Sequence, residues 1–320
     1  MMKRFVTRSL LFLLLVYVLS IVLSWAYTVL FTDHKSDQSK KNWVLLRSGD
    51  SCDYATIGSS RVFHMINVPL LNKLTGKKGI NIGNSGSSYA DNYALLLKYL
   101  ERNHIKTLVL NADEFCFNST KHYTYPFKDF QYMPYFFEDS INLVYKENVP
   151  VWKYYLWSTV PLSRYIEFNE YYDLGSLAWL TVQKQICAYD TTAGTELLTN
   201  LKYRKFAAAD TTGIHPEKFV VDRKDLRYFY KIINLCKSKG IEVILVTPPI
   251  YCKGMYAKES RLKIAQFIEG LAKEQKLYYV NYYEAQGFCN VLYFRDLTHT
   301  NYLGTNIFTR YLAKELKGRL

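Results

Sequence analysis

Short, almost wholly apolar runs alternate with amphipathic stretches of helix length, and this alternation limits the fold more than any other feature of the chain. Asp53–Gly58 reads as a strand, Val62–Leu74 as a helix, Ile80–Ile82 as a second strand and Asp91–Arg102 as a second helix. Thr107–Asn111 is a third strand, apolar enough to be covered on both faces, as parallel strands are. After an irregular middle the pattern resumes. Arg223–Lys239 is a helix stopped by Gly240, Ile241–Val246 a strand, Lys258–Lys276 a helix, Leu277–Tyr282 a strand and Thr305–Leu316 a closing helix. The expected fold is α/β, a three-layer α/β/α body around a mostly parallel five-stranded sheet.

The N-terminus follows a different rule. Ser9–Phe31 carries no charge over 23 residues, enough to cross roughly 30 Å of hydrocarbon as a helix. No short apolar core with a small-residue cleavage site stands out, so an uncleaved transmembrane anchor is expected. Lys3, Arg4 and Arg8 before it favour a cytoplasmic N-terminus and an extracytoplasmic body, periplasmic or extracellular; Lys35, Lys40 and Lys41 beyond it pull the other way. Three regions are expected: 1–31 as cytoplasmic tip and anchor, 32–50 as a polar tether, and 51–320 as the folded body. Within that body, 115–222 lacks strand–helix alternation and is crowded with aromatics (YPFKDFQYMPYFF, VWKYYLWSTV). It reads as a mostly helical insertion over the sheet's C-terminal edge, either a cap and groove wall or a plain satellite core. Tyr203–Pro216 reads as a loop.

Net charge is +13, spread without a clustered stripe or nucleic-acid motif, so a nucleic-acid partner is not expected; an anionic surface or acidic polymer remains compatible. Tyrosine, at 29 residues, suits half-wet grooves such as those that bind sugars, and equally ordinary cores. The six cysteines show no C-x-x-C spacing, which argues against a zinc site, and their pairing does not follow from the sequence. Cys116, Cys252 and Cys289 fall near strand ends, where a bracing disulfide or a thiol nucleophile are the two readings.

Two motifs carry chemistry. Asp53–Arg61 (DYATIGSSR) runs from a strand through a Gly-Ser-Ser turn into a helix, a place where a hydroxyl is exposed and backbone N–H groups favour negative charge. Near the other end, Asp296 and His299 share a loop before the last helix, so that the carboxylate can fix the imidazole tautomer. Together they supply a nucleophile, Ser60, a base, His299, and an orienting acid, Asp296. Competing readings are Ser60 as a mere helix cap, Ser59 as the exposed hydroxyl, and Gly83 and Gly86 as plain turn glycines. His64 points along its helix, and His122 and His215 lie in the insertion.

These blocks resemble those of the SGNH (GDSL-type) hydrolase superfamily. Gly58-Ser59-Ser60 matches its first block, Asn81–Gly86 (NIGNSG) its second, and Asp296–His299 its C-terminal Asp-x-x-His. The resemblance covers the body apart from the aromatic insertion. It implies a flavodoxin-like three-layer fold and a triad of Ser60, His299 and Asp296, with an oxyanion hole from the N–H groups of Ser60 and Gly86. The family's third block, Gly-x-Asn-Asp, is replaced here by Leu110-Asn111-Ala112-Asp113-Glu114, so the third donor, Asn111, stands out of register. The single anchor with such a body is similar to the membrane-anchored branch of D-alanyl-teichoic acid transfer proteins and polysaccharide O-acetyltransferases. That implies hydrolysis or transfer of a small acyl ester on a cell-surface glycan or related polymer. No metal or organic cofactor is expected. Transfer would require a multi-pass membrane partner to deliver the acyl group; the rival is a catalytically silent scaffold that binds glycan or organises an export complex.

Overall fold

Burial on both faces is what the apolar strands demand, and a computed structural model shows how it is met. It describes residues 2–32, 40–117, 130–166, 188–199, 219–252, 258–283, 285 and 287–320. The expected readings of residues 33–39 as tether and of 203–216 as loop, together with His122, His215 and much of the insertion, lie outside these.

The elements run as follows: α1 (Met2–Thr32), α2 (Lys40–Leu45), β1 (Ser51–Ile57), α3 (Ser60–Phe63), α4 (Val68–Thr75), β2 (Gly79–Asn81), α5 (Tyr89–Tyr99), β3 (His104–Asn111) and α6 (Glu114–Phe117). A 3-10 turn (Phe130–Tyr135), α7 (Asp139–Asn148), α8 (Val151–Thr159), α9 (Ser163–Ile166) and α10 (Ala188–Thr191) come next. The chain closes with α11 (Arg223–Ser238), β4 (Glu242–Thr247), α12 (Lys258–Gln275), β5 (Tyr278–Asn281), a 3-10 turn (Val291–Tyr293) and α13 (Tyr302–Leu316).

The chain divides into two compact units. One combines Met1–Trp43 with Phe127–Cys187, the other Val44–Pro126 with Ala188–Leu320. The second holds a five-stranded sheet, all parallel, in the order β2-β1-β3-β4-β5. In such an order the crevice at the strands' C-terminal ends opens where the winding reverses, between β1 and β3. Tyr54, Val109, Ile244 and Val246 point into one core with Leu71 of α4 and Phe308 and Leu312 of α13. Their neighbours Ala55, Leu108, Leu110, Val243 and Leu245 face the other way and are buried too. This two-sided burial is why the strands lack polar alternation.

The expected helix 62–74 is two helices. Asn67 caps α4 by accepting from Leu70 N–H, and Pro69 follows in the first turn, so the chain breaks at 64–67. The polar tether of 32–50 contains α2, and Lys40, Lys41 and Asn42 are buried. Lys41 Nζ lies 4.8 Å from the Tyr132 ring centroid, and Asn42 bonds Phe31 O and Tyr135 OH. Lys40 and Lys41 thus belong to packed structure and not to a solvated tether. In the first unit, α1 is long and apolar enough to cross a membrane by length and composition, with mean hydropathy 2.4 over its best window. The insertion helices described at 139–166 group with α1, and residues 188–199 group with the sheet, so the 115–222 boundary divides between the two units.

Candidate active site

The site grows from the end of β1. Parallel pairing of Ile57 with Leu110 brings Asn111 against the turn that follows β1. A Cβ on Gly58 would stand 2.3 Å from Asn111 Cβ, so only glycine fits there. Ser59 is the cap of α3: its hydroxyl accepts from Arg61 N–H and donates to Asn111 Oδ1 at 3.2 Å. The cap role that competed for Ser60 thus belongs to Ser59, and Ser60 occupies the first helical position with its hydroxyl turned elsewhere.

That hydroxyl meets the far end of the chain. Ser60 Oγ lies 2.7 Å from His299 Nε2, across 239 residues of sequence. His299 Nδ1 is 2.9 and 3.0 Å from the two oxygens of Asp296. A carboxylate only accepts, so the proton sits on Nδ1 and Nε2 is left to accept from Ser60. The loop holding this pair is built locally. Asp296 Oδ1 also accepts the N–H groups of Thr298 and His299, and Arg295 N–H closes on His299 O. Burial works to raise the Asp296 carboxyl. The hydrogen bond and charge of His299 and the two backbone donors outweigh it, pushing the group down to about 2. Gly304 lets α13 start directly beneath: a Cβ there would stand 2.1 Å from Tyr293 O.

The loop after β2 is tied to the Gly58–Ser60 turn. Ile82 N–H donates to Thr56 O and Asn84 N–H to Gly58 O, which carries 83–86 alongside Ser60. Gly83 N–H is taken by Asn81 Oδ1. Gly86 adopts a left-handed φ of +72°, and among the described residues its N–H has no acceptor. Of the two loop glycines, Gly86 is thus the one with a donor to offer. Asn111, the expected third oxyanion donor, packs against the turn at Gly58. It is wholly buried, its Nδ2 donates to Asp113 Oδ2 at 2.8 Å, and its Oδ1 serves Ser59. Its side-chain oxygen thus holds the turn, and its Nδ2 keeps a second hydrogen beyond the bond to Asp113.

Two supports were not legible in the sequence. His64 Nδ1 faces Glu196 O at 2.8 Å; a carbonyl only accepts, so Nε2 accepts from Ser85 Oγ at 3.0 Å and steadies the residue before Gly86. Burial, together with the nearby His299 and Arg295, lowers the His64 pKa against the pull of Glu196, favouring the neutral ring. Arg61 is buried between Asp113 Oδ2 at 3.2 Å and Glu114 Oε1 at 3.3 Å, and it donates to the carbonyls of Pro248 and Pro249. This ion cluster knots α3, α6 and the end of β4 beside Ser60. Only the charge content of Arg61 and of Asp113-Glu114 hinted at it.

Cys252 and Cys289 form a disulfide, while Cys52, Cys116 and Cys236 are free and buried. Cys116, with its thiol 3.6 Å from Asn111 O, is not placed as a nucleophile. Among the described residues no group of three His, Cys, Asp or Glu side chains could hold a metal ion. Comparison with known proteins returns no matching family model and no matching curated protein.

Proposed function

We propose that the chain is a membrane-anchored serine acyl-ester hydrolase or O-acyltransferase of SGNH-like three-layer fold, acting outside the cytoplasm on a cell-surface glycan or related polymer. The observation that carries this reading is the relay from Ser60 Oγ through His299 to Asp296, with contacts of 2.7 and 2.9 Å. Ser60 Oγ attacks the ester carbonyl as His299 Nε2 takes its proton, and Asp296 stabilises the imidazolium. The developing oxyanion faces the N–H groups of Ser60 and Gly86. The imidazolium returns its proton to the departing alcohol, leaving an acyl-enzyme on Ser60. Water or a sugar hydroxyl, deprotonated by His299, then takes the acyl group and Ser60 recovers its hydrogen. The long apolar α1 supports an anchored chain, and the Cys252–Cys289 disulfide supports an oxidising compartment. Beside the catalytic loop, where Tyr251 N–H donates to Leu297 O, an open depression of about 610 Å³ lined by Tyr251, Asn290 and Tyr293 offers aromatic faces suited to a sugar.

The test is a fluorophosphonate probe on the detergent-solubilised full chain. Labelling that disappears in Ser60→Ala supports the enzyme; a folded protein that takes no label refutes it. An acyl donor offered with and without a sugar acceptor then separates the two reactions, free acid as sole product ending the transfer reading. One rival is a catalytically silent scaffold, favoured by the departure of Leu110–Glu114 from the family's third block, and the same labelling decides it.

A further inference from the structure

Helix α8 is inside out. Val151, Trp152, Tyr155 and Leu156 share one face and are 70, 68, 60 and 41 % exposed, while Trp157 is its one buried residue. The only charge on α8, Lys153, folds its ammonium to 5.2 Å from the Trp157 ring. The apolar surface continues through Val160 to Ile166, itself 64 % exposed. A water-facing helix sorts its residues the opposite way.

The segment is also fastened to α1 at successive depths. Leu162 N–H donates to Ser20 Oγ at 3.2 Å, Arg164 Nη2 to Ser24 Oγ at 2.9 Å, and Tyr165 OH meets Thr28 Oγ1 at 2.7 Å. Tyr165 also stacks on Tyr27, ring centroids 4.9 Å apart. Ser20, Ser24 and Thr28 lie on one stripe of α1, a turn apart. At 1.5 Å per residue they stand about 18, 12 and 6 Å along the axis from Thr32. Half a bilayer's hydrocarbon is about 15 Å thick. The chain therefore reaches its deepest point at Leu162 and climbs through α9 beside α1 towards the end of the span.

We infer that α8, the turn at Val160–Leu162 and α9 form a re-entrant hairpin whose exposed apolar face is covered by phospholipid acyl chains, in the leaflet that holds the C-terminal half of α1. The inference rests on α1 crossing the bilayer. Irregular backbone survives at that depth only if its polar groups are satisfied internally. Here they are. Val160 N–H donates to Leu156 O, Pro161 has no N–H, Leu162 N–H is held by Ser20, and Ser163 N–H returns to Val160 O. The carbonyls of the turn are matched as well. Val160 O also accepts Ser163 Oγ at 2.6 Å, Pro161 O accepts Arg164 Nε at 3.1 Å, and Leu162 O accepts Tyr165 N–H at 3.0 Å. Arg164, the one other charge of the hairpin, is buried with its guanidinium 4.5 Å from the Phe137 ring and 5.3 Å from that of Phe136. These bonds pair the backbone groups of Val160, Pro161 and Leu162, while Arg164 Nη1 is buried with no hydrogen-bond partner among the described residues.

The test uses the full chain in phospholipid vesicles, with an environment-sensitive fluorophore on Trp152→Cys, Leu156→Cys or Ile166→Cys. Leu13→Cys in α1 and Lys106→Cys on β3 serve as hydrocarbon and water references, and the unsubstituted protein gives the labelling background. All three hairpin labels are expected to be quenched by spin-labelled lipid as Leu13→Cys is. Their quenching by iodide is expected to be severalfold weaker than at Lys106→Cys, because hydrocarbon excludes the ion. Iodide quenching equal to that at Lys106→Cys overturns the hairpin while leaving the anchor intact. Labels reached by neither quencher overturn it in favour of a covering protein, whether a membrane partner or a second copy. Water around Leu13→Cys would remove the anchor itself, and the hairpin with it.

Discussion

Replacing Arg61 by methionine tests whether the ion cluster beside Ser60 holds the Gly58–Ser60 turn in place. Arg61, Asp113 and Glu114 are all but wholly buried, and the guanidinium contacts both carboxylates within 3.3 Å. Methionine fills similar volume, so the packing loss is small and the electrostatic loss dominates. Removing one partner of a buried ion pair costs about 3–5 kcal/mol, because the remaining charge is left without compensation. The carbonyls of Pro248 and Pro249 lose their donor as well, which places the cost at the upper end of that range. For a unit of this size the expected fall in Tm is roughly 6–20 °C. The sign of its pH dependence is the sharper criterion. Protons relieve uncompensated negative charge, so folded Arg61→Met holds more protons than its unfolded form and its deficit grows as pH rises. The slope is at most about 1.4 kcal/mol per pH unit for each proton. Adding Asp113→Asn and Glu114→Gln should restore most of the loss and flatten the slope. Denaturant titration of the full chain in detergent at about pH 5.5 and pH 8 gives both quantities. A deficit below about 1 kcal/mol, or one identical at the two pH values, would refute the reasoning.

Other consequences follow from particular contacts. Asp296→Asn should slow probe labelling of Ser60 by up to about 10⁴-fold with the fold intact, since the tautomer of His299 is no longer held; an unchanged rate removes Asp296 from the mechanism. Because the Asp296 carboxyl is held at about 2, below its unfolded value, its contribution to stability is complete above the ordinary carboxylate range and is lost as pH falls through about 2. Rate profiles from about pH 4 upward should therefore show no step belonging to it. Gly58→Ala places a methyl 2.3 Å from Asn111 Cβ, more than 1 Å too close, and should cost about 1–3 kcal/mol and roughly 10² in labelling rate; a wild-type rate would show that the turn yields freely. Breaking Cys252–Cys289 in a double Cys→Ala variant releases a loop of 37 residues' separation and should lower stability by up to about 4 kcal/mol on the chain-entropy account, read as a shift in unfolding midpoint.

Much of the architecture follows from local chemistry. Five apolar runs became five parallel strands, each displaced by no more than three residues, because a strand buried on both faces has no polar residues to hide it. The helix stop at Gly240 was equally local. The Gly-Ser-Ser turn and the Asp-x-x-His loop were readable as candidate chemistry for the same reason: each is a short segment whose spacing sets its geometry. What the sequence left open depended on distant partners. Whether Ser59 or Ser60 faces the base was decided by Asn111, which takes the Ser59 hydroxyl from a neighbouring strand. The burial of Lys41 involves Tyr132, nearly a hundred positions away. The aromatic middle showed no period, because part of it packs along α1 and turns apolar side chains outward, so composition there reports two environments at once. By itself, then, the sequence determined a parallel α/β sheet, one membrane-length helix and the two segments able to carry a triad. Tertiary structure alone decided that residues 60 and 299 meet and that Asn111 bonds Ser59 and Asp113. Periodicity reports which face of an element is buried, whereas the partner that covers that face is set only when the whole chain closes around it.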